Sequence, residues 1–258
     1  MINGIEHIEN SFKQSKLFIG YLTAGDGGIE RTLEASLALI KGGINMLEIG
    51  VPFSDPIADG PVIQRATARA LEANTSLDDI LWLARKIREK SEIPLILFSY
   101  LNPILAIMNT DFFKQASLAG IDGALLVDCP LEESELFREQ CLVENIAPIY
   151  VISPSTSLSR IKAIDKSGKG FLYYACRKGT TGMRIGLPED FVEKIQSIQS
   201  VVHLPIAAGF GISQKDAAKQ VLEHTQGVVV GSLFVKALED GTTPAELTQL
   251  ALSINPLL

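Results

Sequence analysis

The stretch LEIGVPFSDPIADGPVIQ, from Leu47 to Gln64, joins a strand, a loop and the start of a helix. Its first residues are apolar enough for a buried strand, prolines stiffen its middle, and its end begins a helical pattern. One acidic residue, Glu48, lies within the strand, and Asp55 and Asp59 lie in the loop. A buried carboxylate costs several kcal/mol unless it is paired or protonated. We therefore expect Glu48 to have a function.

The same strand and helix unit recurs along the chain. Seven further apolar runs are present: LFIGYLT, PLILFSY, DGALLV, APIYVIS, GFLYYA, LPIAAG and GVVVGS. Helical patterns such as GIERTLEASLALIKGG and LPEDFVEKIQSIQS separate them. Apolar strands that alternate with helices indicate a parallel sheet covered by helices, either an open doubly wound sheet or a closed barrel. Eight units in 258 residues favour the α/β class and a (β/α)8 TIM barrel.

Three helices are predicted beyond the eight units. The spacing of Ile2, Ile5, Ile8 and Phe12 predicts an N-terminal helix. The gap after strand 2 holds two helical patterns, PVIQRATARALEA and SLDDILWLARKIREK, and the tail TPAELTQLALSINPLL predicts an addition after strand 8. No linker or shift in composition marks a second domain. We therefore expect residues 1–258 to form a single barrel domain.

Composition and charge limit the kinds of molecule that the protein is expected to bind. The net charge of −7 argues against nucleic acid or an anionic membrane surface, although backbone N–H groups can still bind one phosphate. The longest apolar runs are too short to span a membrane. The cysteines and histidines lack the spacing of a metal or redox pair, which predicts no metal site and a reducing, cytoplasmic location: Cys129, Cys141, Cys176, His7, His203 and His224.

Glu48 and Asp59 are the candidate catalytic pair. Catalytic groups of a TIM barrel lie at the carboxyl ends of strands and in the loops that follow, so both carboxyl groups are expected at one mouth. Two structural alternatives remain open at this stage. Glu48 could pair with a basic residue across the barrel, and Asp59 could cap the next helix.

The stretch from Leu47 to Gln64 resembles the signature of the tryptophan synthase alpha chain family. The resemblance continues in SYLNPI, YYACRKGTTG, GFGIS and GSLFVK, and extends from Phe18 to Lys236. It implies a lyase that cleaves indole-3-glycerol phosphate to indole and D-glyceraldehyde 3-phosphate. It also implies an α2β2 tetramer with a beta chain that uses pyridoxal phosphate to join indole to L-serine, and no cofactor in this chain.

The residues can be tested against that chemistry. The cleavage is a retro-aldol step, and such lyases commonly use a Schiff-base lysine or a metal as electron sink. No lysine lies in the eight apolar runs, so the substrate itself must accept the electrons after protonation at indole C3. Glu48, with a raised pKa in an apolar mouth, suits the proton transfer, and Asp59, on a more solvated loop, suits the anion beside the ring nitrogen. The resemblance implies the same roles.

The resemblance also implies a role for Tyr173, at the end of strand 6, in orienting Glu48 or a substrate hydroxyl. The alternative is a core tyrosine with a satisfied hydroxyl. Glycine-bearing segments after strands 6, 7 and 8 are predicted to bind the phosphate, although a lone glycine often serves only a turn: Gly182, Phe210, Gly211, Gly231 and Ser232. Residues near strand ends are predicted to form the indole slot, with membership of the core as the alternative: Tyr21, Ile63, Phe98, Tyr100 and Val127.

Loops 2 and 6 are predicted to serve as partner contact and lid. Loop 6 is rich in glycine and basic residues and departs from the family pattern at Cys176 and Thr180, where serine and valine are usual. In loop 2, prolines fix the backbone and an exposed Phe53 is expected to meet the beta chain. The residues assigned to these loops are Pro52, Phe53, Asp55, Arg177 and Thr181, with Lys178 and Arg184 adding charge.

Two other functions remain open at this stage. One is a different phosphate-binding barrel enzyme, such as a sugar-phosphate epimerase or isomerase. That enzyme would need metal-ligand histidines or a differently placed acid–base pair. The other is a catalytically weak regulatory subunit that binds phosphate and activates the beta chain. A subunit of that kind gains nothing from a buried carboxylate.

Overall fold

The computed structural model describes residues 3–107, 110–176, 187–209 and 211–258, and within these ranges eight parallel strands close into a barrel in chain order. The strands are β1 Leu17–Thr23, β2 Met46–Gly50, β3 Leu95–Ser99, β4 Gly123–Leu126, β5 Ala147–Ile152, β6 Leu172–Ala175, β7 Ile206–Gly209 and β8 Gly227–Val230. Seven strands fall within the apolar runs given above, and β2 begins at Met46, one residue before its run. The prediction of an α/β TIM barrel is confirmed, and the open sheet is excluded.

Helices cover the outside of the barrel. Those in the described residues are α1 Gly4–Gln14, α2 Ile29–Lys41, α3 Pro61–Glu72, α4 Leu77–Arg88, α5 Leu101–Leu105, α6 Phe112–Ala119, α7 Glu135–Val143, α8 Leu158–Ser167, α9 Phe191–Gln199, α10 Lys215–His224, α11 Ser232–Glu239 and α12 Pro244–Ile254. The N-terminal helix and the extra helices after β2 and β8 are confirmed. The sequence pattern does not predict the short α5 or the 3₁₀ turn Leu131–Glu133. No helix in the described ranges combines the length and apolar character needed to cross a bilayer.

Alternation along each strand creates two layers of core. Residues that point outward pack against the helices, whereas residues that point inward fill the barrel and meet Ile8 of α1 at its amino-terminal end. Met46 of β2 belongs to the inward set. Glu48 lies two residues further along the same strand, so it points inward as well, closer to the carboxyl end.

Candidate active site

A cavity of about 390 Å³ opens at the carboxyl ends of the strands, within the size range of small-molecule sites. Every strand, or the loop after it, contributes to its wall. The lining residues are Tyr21, Glu48, Ala58, Asp59, Ile63, Phe98, Val127, Val151, Ser153, Ser155, Tyr173, Ala175, Gly209, Gly211, Val229, Gly231 and Ser232. The structure therefore brings Glu48, Asp59 and Tyr173 to one cavity, as the sequence predicts.

Glu48 lies on β2 between Tyr21 of β1 and Ile96 of β3, and its side chain is fully buried. Neither carboxyl oxygen has a hydrogen-bond partner among the residues that the structure describes. Burial raises the pKa of Glu48 to about 8, because desolvation disfavours the charged form. Within the described ranges, the alternative in which Glu48 pairs with a basic residue is contradicted. At neutral pH the group is a protonated acid that faces the cavity.

Asp59 lies on a loop with exposed residues, as predicted, but its own side chain is only 6% exposed. Loop 2 folds against the end of β3, where the Tyr100 hydroxyl donates to Asp59 Oδ2 at 3.0 Å and accepts from the Ala58 N–H at 3.0 Å. Burial raises the pKa of Asp59 to about 6, and the bond from Tyr100 opposes that rise. The N-cap of α3 is Gly60, which leaves Asp59 free of the capping role. The carboxylate is mostly ionised at neutral pH.

Tyr173 lies on β6, and its ring contacts Phe98 edge-on with centroids 6.2 Å apart. Its hydroxyl occupies the space where Gly209 has no side chain. Burial first, and then the nearby Glu48, raise the pKa of Tyr173, so the phenol stays neutral. Tyr173 makes no hydrogen bond to Glu48, whose oxygens have no partner in the described residues. The hydroxyl is therefore available to a ligand.

The predicted phosphate residues that the structure describes lie together at the ends of β7 and β8. Gly231 is the N-cap of α11, and Ser232 is the first residue of that helix. The N–H groups of a first helical turn have no partner in the helix and attract anions. Gly211 has a φ of +45°, which favours glycine because a Cβ would be strained there. Gly182 and Phe210 lie outside the described residues.

Four of the five residues assigned to the indole slot line the cavity: Tyr21, Ile63, Phe98 and Val127. Tyr21 meets Phe98 edge-on, with ring centroids 5.4 Å apart and planes at 80°. Tyr100 does not line the cavity, so its assignment to the slot is wrong. Its ring lies behind loop 2, because its hydroxyl is held by Asp59 and Ala58.

Comparison with known proteins identifies the family. The family model of the tryptophan synthase alpha chain matches residues 8–255. The chain belongs to the tryptophan synthase alpha chain family. The alpha chain of Coxiella burnetii is 52% identical over 252 residues, which cover 98% of each protein. The alpha chain of Chlamydia caviae is 47% identical over 256 residues, which cover 98% of this chain and 99% of the relative.

Solved structures agree with the family. A Mycobacterium tuberculosis tryptophan synthase chain superposes with a TM-score of 0.89 at 27% identity, covering 97% of this chain and 96% of the other. A mutant alpha subunit from Pyrococcus furiosus gives 0.84 at 34% identity, covering 92% and 97%. Alpha chains of this family are lyases of tryptophan biosynthesis. Family membership rules out the sugar-phosphate epimerase or isomerase alternative.

Two serines on the cavity wall are not among the residues that the sequence predicts for the site. Ser153 and Ser155 follow β5, and their Oγ atoms lie 2.9 Å apart. Ser153 Oγ also lies 3.2 Å from Thr156 Oγ1. The available signal was their place in the segment SPSTS, directly after a strand end. A polar cluster there adds hydroxyl groups to a wall that is otherwise largely apolar.

Loop 2 exposes a different apolar side chain from the one that the sequence predicts. Pro52 is buried and Asp55 is exposed. Phe53 is half-buried because its ring packs on Tyr100, with centroids 5.3 Å apart, so the prediction of an exposed Phe53 is wrong. The exposed apolar residue of the loop is Ile57, at 75%, which the sequence analysis missed.

The predicted lid falls largely outside the described residues. Cys176 is described and buried. The lid residues that lie outside are Arg177, Lys178, Thr180, Thr181, Gly182 and Arg184. In the described ranges, no group of three or more His, Cys, Asp or Glu side chains is arranged to hold a metal ion.

Proposed function

We propose that this alpha-chain family member cleaves indole-3-glycerol phosphate to indole and D-glyceraldehyde 3-phosphate, with Glu48 as proton carrier and Asp59 as counter-charge. One observation carries the assignment. A single cavity holds a fully buried Glu48 with a pKa of about 8 and an Asp59 with a pKa of about 6. At neutral pH the first group is protonated and the second is mostly ionised. Carboxyl groups whose pKa values are separated in this way can divide acid and electrostatic roles.

The reaction follows from these two protonation states. Glu48 donates its proton to indole C3, and the positive charge that develops on the ring nitrogen is balanced by the Asp59 carboxylate. The bond between C3 and the glycerol carbon then breaks, and its electrons restore the aromatic indole. The glycerol hydroxyl becomes the aldehyde as its proton passes to the Glu48 carboxylate. The acid is regenerated, and no other reactant is consumed.

The remaining cavity residues bind the two ends of the substrate. Gly211, Gly231 and Ser232, with Gly182 and Phe210, are proposed to hold the phosphate through backbone N–H groups and the amino end of α11. Tyr21, Ile63, Phe98 and Val127 are proposed to enclose the indole ring. Tyr173 is proposed to bind the reacting glycerol hydroxyl, because its own hydroxyl faces the cavity near Glu48.

The partner implied by the family is a tryptophan synthase beta chain. The proposed assembly is an α2β2 tetramer in which the beta chain holds pyridoxal phosphate and condenses the transferred indole with L-serine to L-tryptophan. Loop 2, with Pro52, Phe53 and Asp55, is proposed to contact that partner, and the exposed Ile57 adds apolar surface. Arg177 and Thr181 are proposed to act in a lid that couples to the same loop. A cytoplasmic location and a single domain over residues 1–258 complete the proposal.

The regulatory alternative is disfavoured by the same pair of carboxyl groups. A subunit that only bound phosphate would retain the cost of burying Glu48 without any catalytic benefit. A cavity that is lined by both carboxyl groups and by a helix amino-terminus is better explained by catalysis on a phosphorylated substrate.

The test is indole release from indole-3-glycerol phosphate, measured with and without a beta chain. We expect the wild-type protein to release indole and Glu48→Gln to lose at least about a hundredfold in turnover, the scale of a general acid–base group. Glycerol phosphate should bind both proteins equally, which controls for the fold. Near-normal turnover in the Gln variant would refute the proton-transfer role. A wild-type protein that only stimulates the beta chain would favour the regulatory alternative.

A further inference from the structure

Arg69, in the last turn of α3, bridges two acidic residues outside the cavity. Its Nε and Nη2 atoms donate to the two oxygens of Asp26 at 2.6 and 2.9 Å, and its Nη1 donates to Glu239 Oε1 at 3.0 Å. Asp26 lies in the loop after β1 and is buried, while Glu239 is the last residue of α11. The planar guanidinium therefore joins loop 1, α3 and α11 through charge-assisted hydrogen bonds, which have defined directions.

The two helices that Arg69 joins begin at opposite ends of the proposed substrate. Helix α3 begins at Pro61, two residues after Asp59. Helix α11 begins at Ser232, in the proposed phosphate site. The distance from Asp59 to the phosphate site thus depends on how α3 lies against α11.

The seam between these helices is apolar near the cavity. Ile63 and Ala66 of α3, Val235 of α11 and Tyr21 form one buried cluster. Apolar contacts hold helices together but are not directional, so they restrain sliding along the helix axes only weakly. About one turn beyond the cluster, the Arg65–Glu239 pair joins α3 to α11 directionally, and the bonds of Arg69 extend this restraint to Asp26 of loop 1.

We propose that Arg69 is a positioning residue that sets the spacing between Asp59 and the phosphate site. The inference rests on the proposed function, in which one substrate must reach from α11 to Asp59. A misplacement of about 1 Å in a bound reactant can lower a rate by about a hundredfold. Arg69 acts on that spacing through α3 and α11 without touching the substrate.

Arg69→Lys is the most informative variant, and Arg160→Lys is its control. Lysine keeps a positive charge beside Asp26. Its single ammonium group cannot form two parallel hydrogen bonds to Asp26 and reach Glu239 at the same time. We expect Arg69→Lys to lower kcat for indole release by about tenfold or more, with glycerol phosphate affinity within about twofold of wild type. Arg160, on α8, donates to both oxygens of Glu132 at 2.6 and 2.8 Å, and neither residue of this pair lies on α3 or α11. We expect its variant to retain wild-type kcat.

A structural role for Arg69 would give a different result. It would lower the melting temperature and leave the kcat of the folded enzyme unchanged, and this outcome would overturn the proposal. If Arg69→Lys does not fold, the double variant Asp26→Asn/Arg69→Gln removes the buried charge together with its partner. The double variant should show the same loss of kcat with retained glycerol phosphate binding, and normal kcat in it would likewise refute the positioning role.

A second measurement does not depend on turnover. Hydrogen exchange of residues 51–60 is compared in each protein with and without glycerol phosphate. In the wild type and in Arg160→Lys, ligand at α11 should slow exchange in loop 2 through the bridge, whereas in Arg69→Lys it should not. Equal protection in all three proteins overturns the proposal. A wild type that shows this protection but releases no indole would contradict the proposed function and leave the positioning role supported.

Discussion

At the scale of single residues, Glu48 and Asp59 differ in the donors that face them. Both are buried carboxyl groups in one cavity, but Asp59 receives a hydrogen bond from Tyr100 and Glu48 receives none from the described residues. Desolvation acts on both groups, and the bond lowers the pKa of Asp59 relative to that of Glu48. The Tyr100 hydroxyl thus contributes to the difference between the pKa values of Asp59 and Glu48.

Glu48→Gln should stabilise the protein in a pH-dependent way. The pKa of Glu48 is about 8 in the folded chain and 4.5 as the ordinary value, so the folded state binds the proton more tightly. The stability contributed by the acid is complete below pH 4.5 and is lost as pH rises towards 8. The advantage of the Gln variant should therefore be small at pH 4, grow between pH 4.5 and 8, and reach at most roughly 5 kcal/mol.

Urea unfolding at a series of pH values measures this difference. Glu34→Gln, at an exposed position on α2, is the control and should show no such trend. A difference between wild type and Glu48→Gln that stayed constant from pH 4 to 9 would show that Glu48 is not held protonated by burial.

Asp59→Asn should separate catalysis from phosphate binding. The amide accepts a hydrogen bond but has no charge to balance the protonated indole, so turnover should fall by about a hundredfold. Glycerol phosphate affinity should change little, because the proposed phosphate residues lie on loops 6, 7 and 8 and not on loop 2. In the wild type, kcat/KM should fall as pH drops through about 6, where Asp59 is protonated, and this limb should be absent in the variant. A large loss of glycerol phosphate affinity would indicate a structural role.

At the scale of elements, loop 2 is the segment that places Asp59 in the same cavity as Glu48 of β2. It leaves β2 after Gly50, folds back against Tyr100 at the end of β3, and enters α3 at Pro61. Pro61 suits the first position of a helix because it lacks only an N–H that would have no partner there. The loop is held by Tyr100, so its geometry depends on a neighbouring strand as well as on its own prolines.

Tyr100→Phe should raise the pKa of Asp59 and loosen loop 2. The variant keeps the ring that packs on Phe53 but loses the donor to Asp59 and the acceptor of the Ala58 N–H. The acidic limb of kcat/KM should move above pH 6, so the loss of activity should be larger at pH 6.5 than at pH 8. Tyr150→Phe is the control, since Tyr150 is also buried and bonded, to Ser134 at 2.8 Å, outside the cavity. An unchanged acidic limb would show that Tyr100 does not tune Asp59.

At the scale of the whole molecule, two of the exposed apolar side chains lie near the mouth of the barrel. Ile57 in loop 2 and Leu105 at the end of α5 both lie in segments that follow the carboxyl ends of strands. Such residues on the mouth of a barrel are suited to contact with a second protein.

Ile57→Asp should weaken binding to a beta chain by about tenfold or more, since a charge would be buried in the contact. Indole release by the chain alone should stay within about twofold of wild type. Val143→Asp is the control, because Val143 is also 75% exposed but lies at the end of α7, near the amino end of β5 and away from the mouth of the barrel. Sedimentation with a beta chain measures both. Equal binding of wild type and Ile57→Asp would remove loop 2 from the proposed contact.

The sequence determined the barrel and the candidate catalytic pair, whereas the tertiary structure decided the surroundings of that pair. The periodicity of strands and helices depends on near neighbours in the chain. The unusual position of a carboxyl group within an apolar strand can likewise be recognised from Glu48 and its immediate neighbours. The direction in which a loop folds depends on contacts between distant residues. For that reason the sequence misplaced Tyr100, exposed Phe53 instead of Ile57, and overlooked Ser153 and Ser155. The bridge of Arg69 to Asp26 and Glu239 likewise exists only after folding, since it joins residues 43 and 170 positions apart.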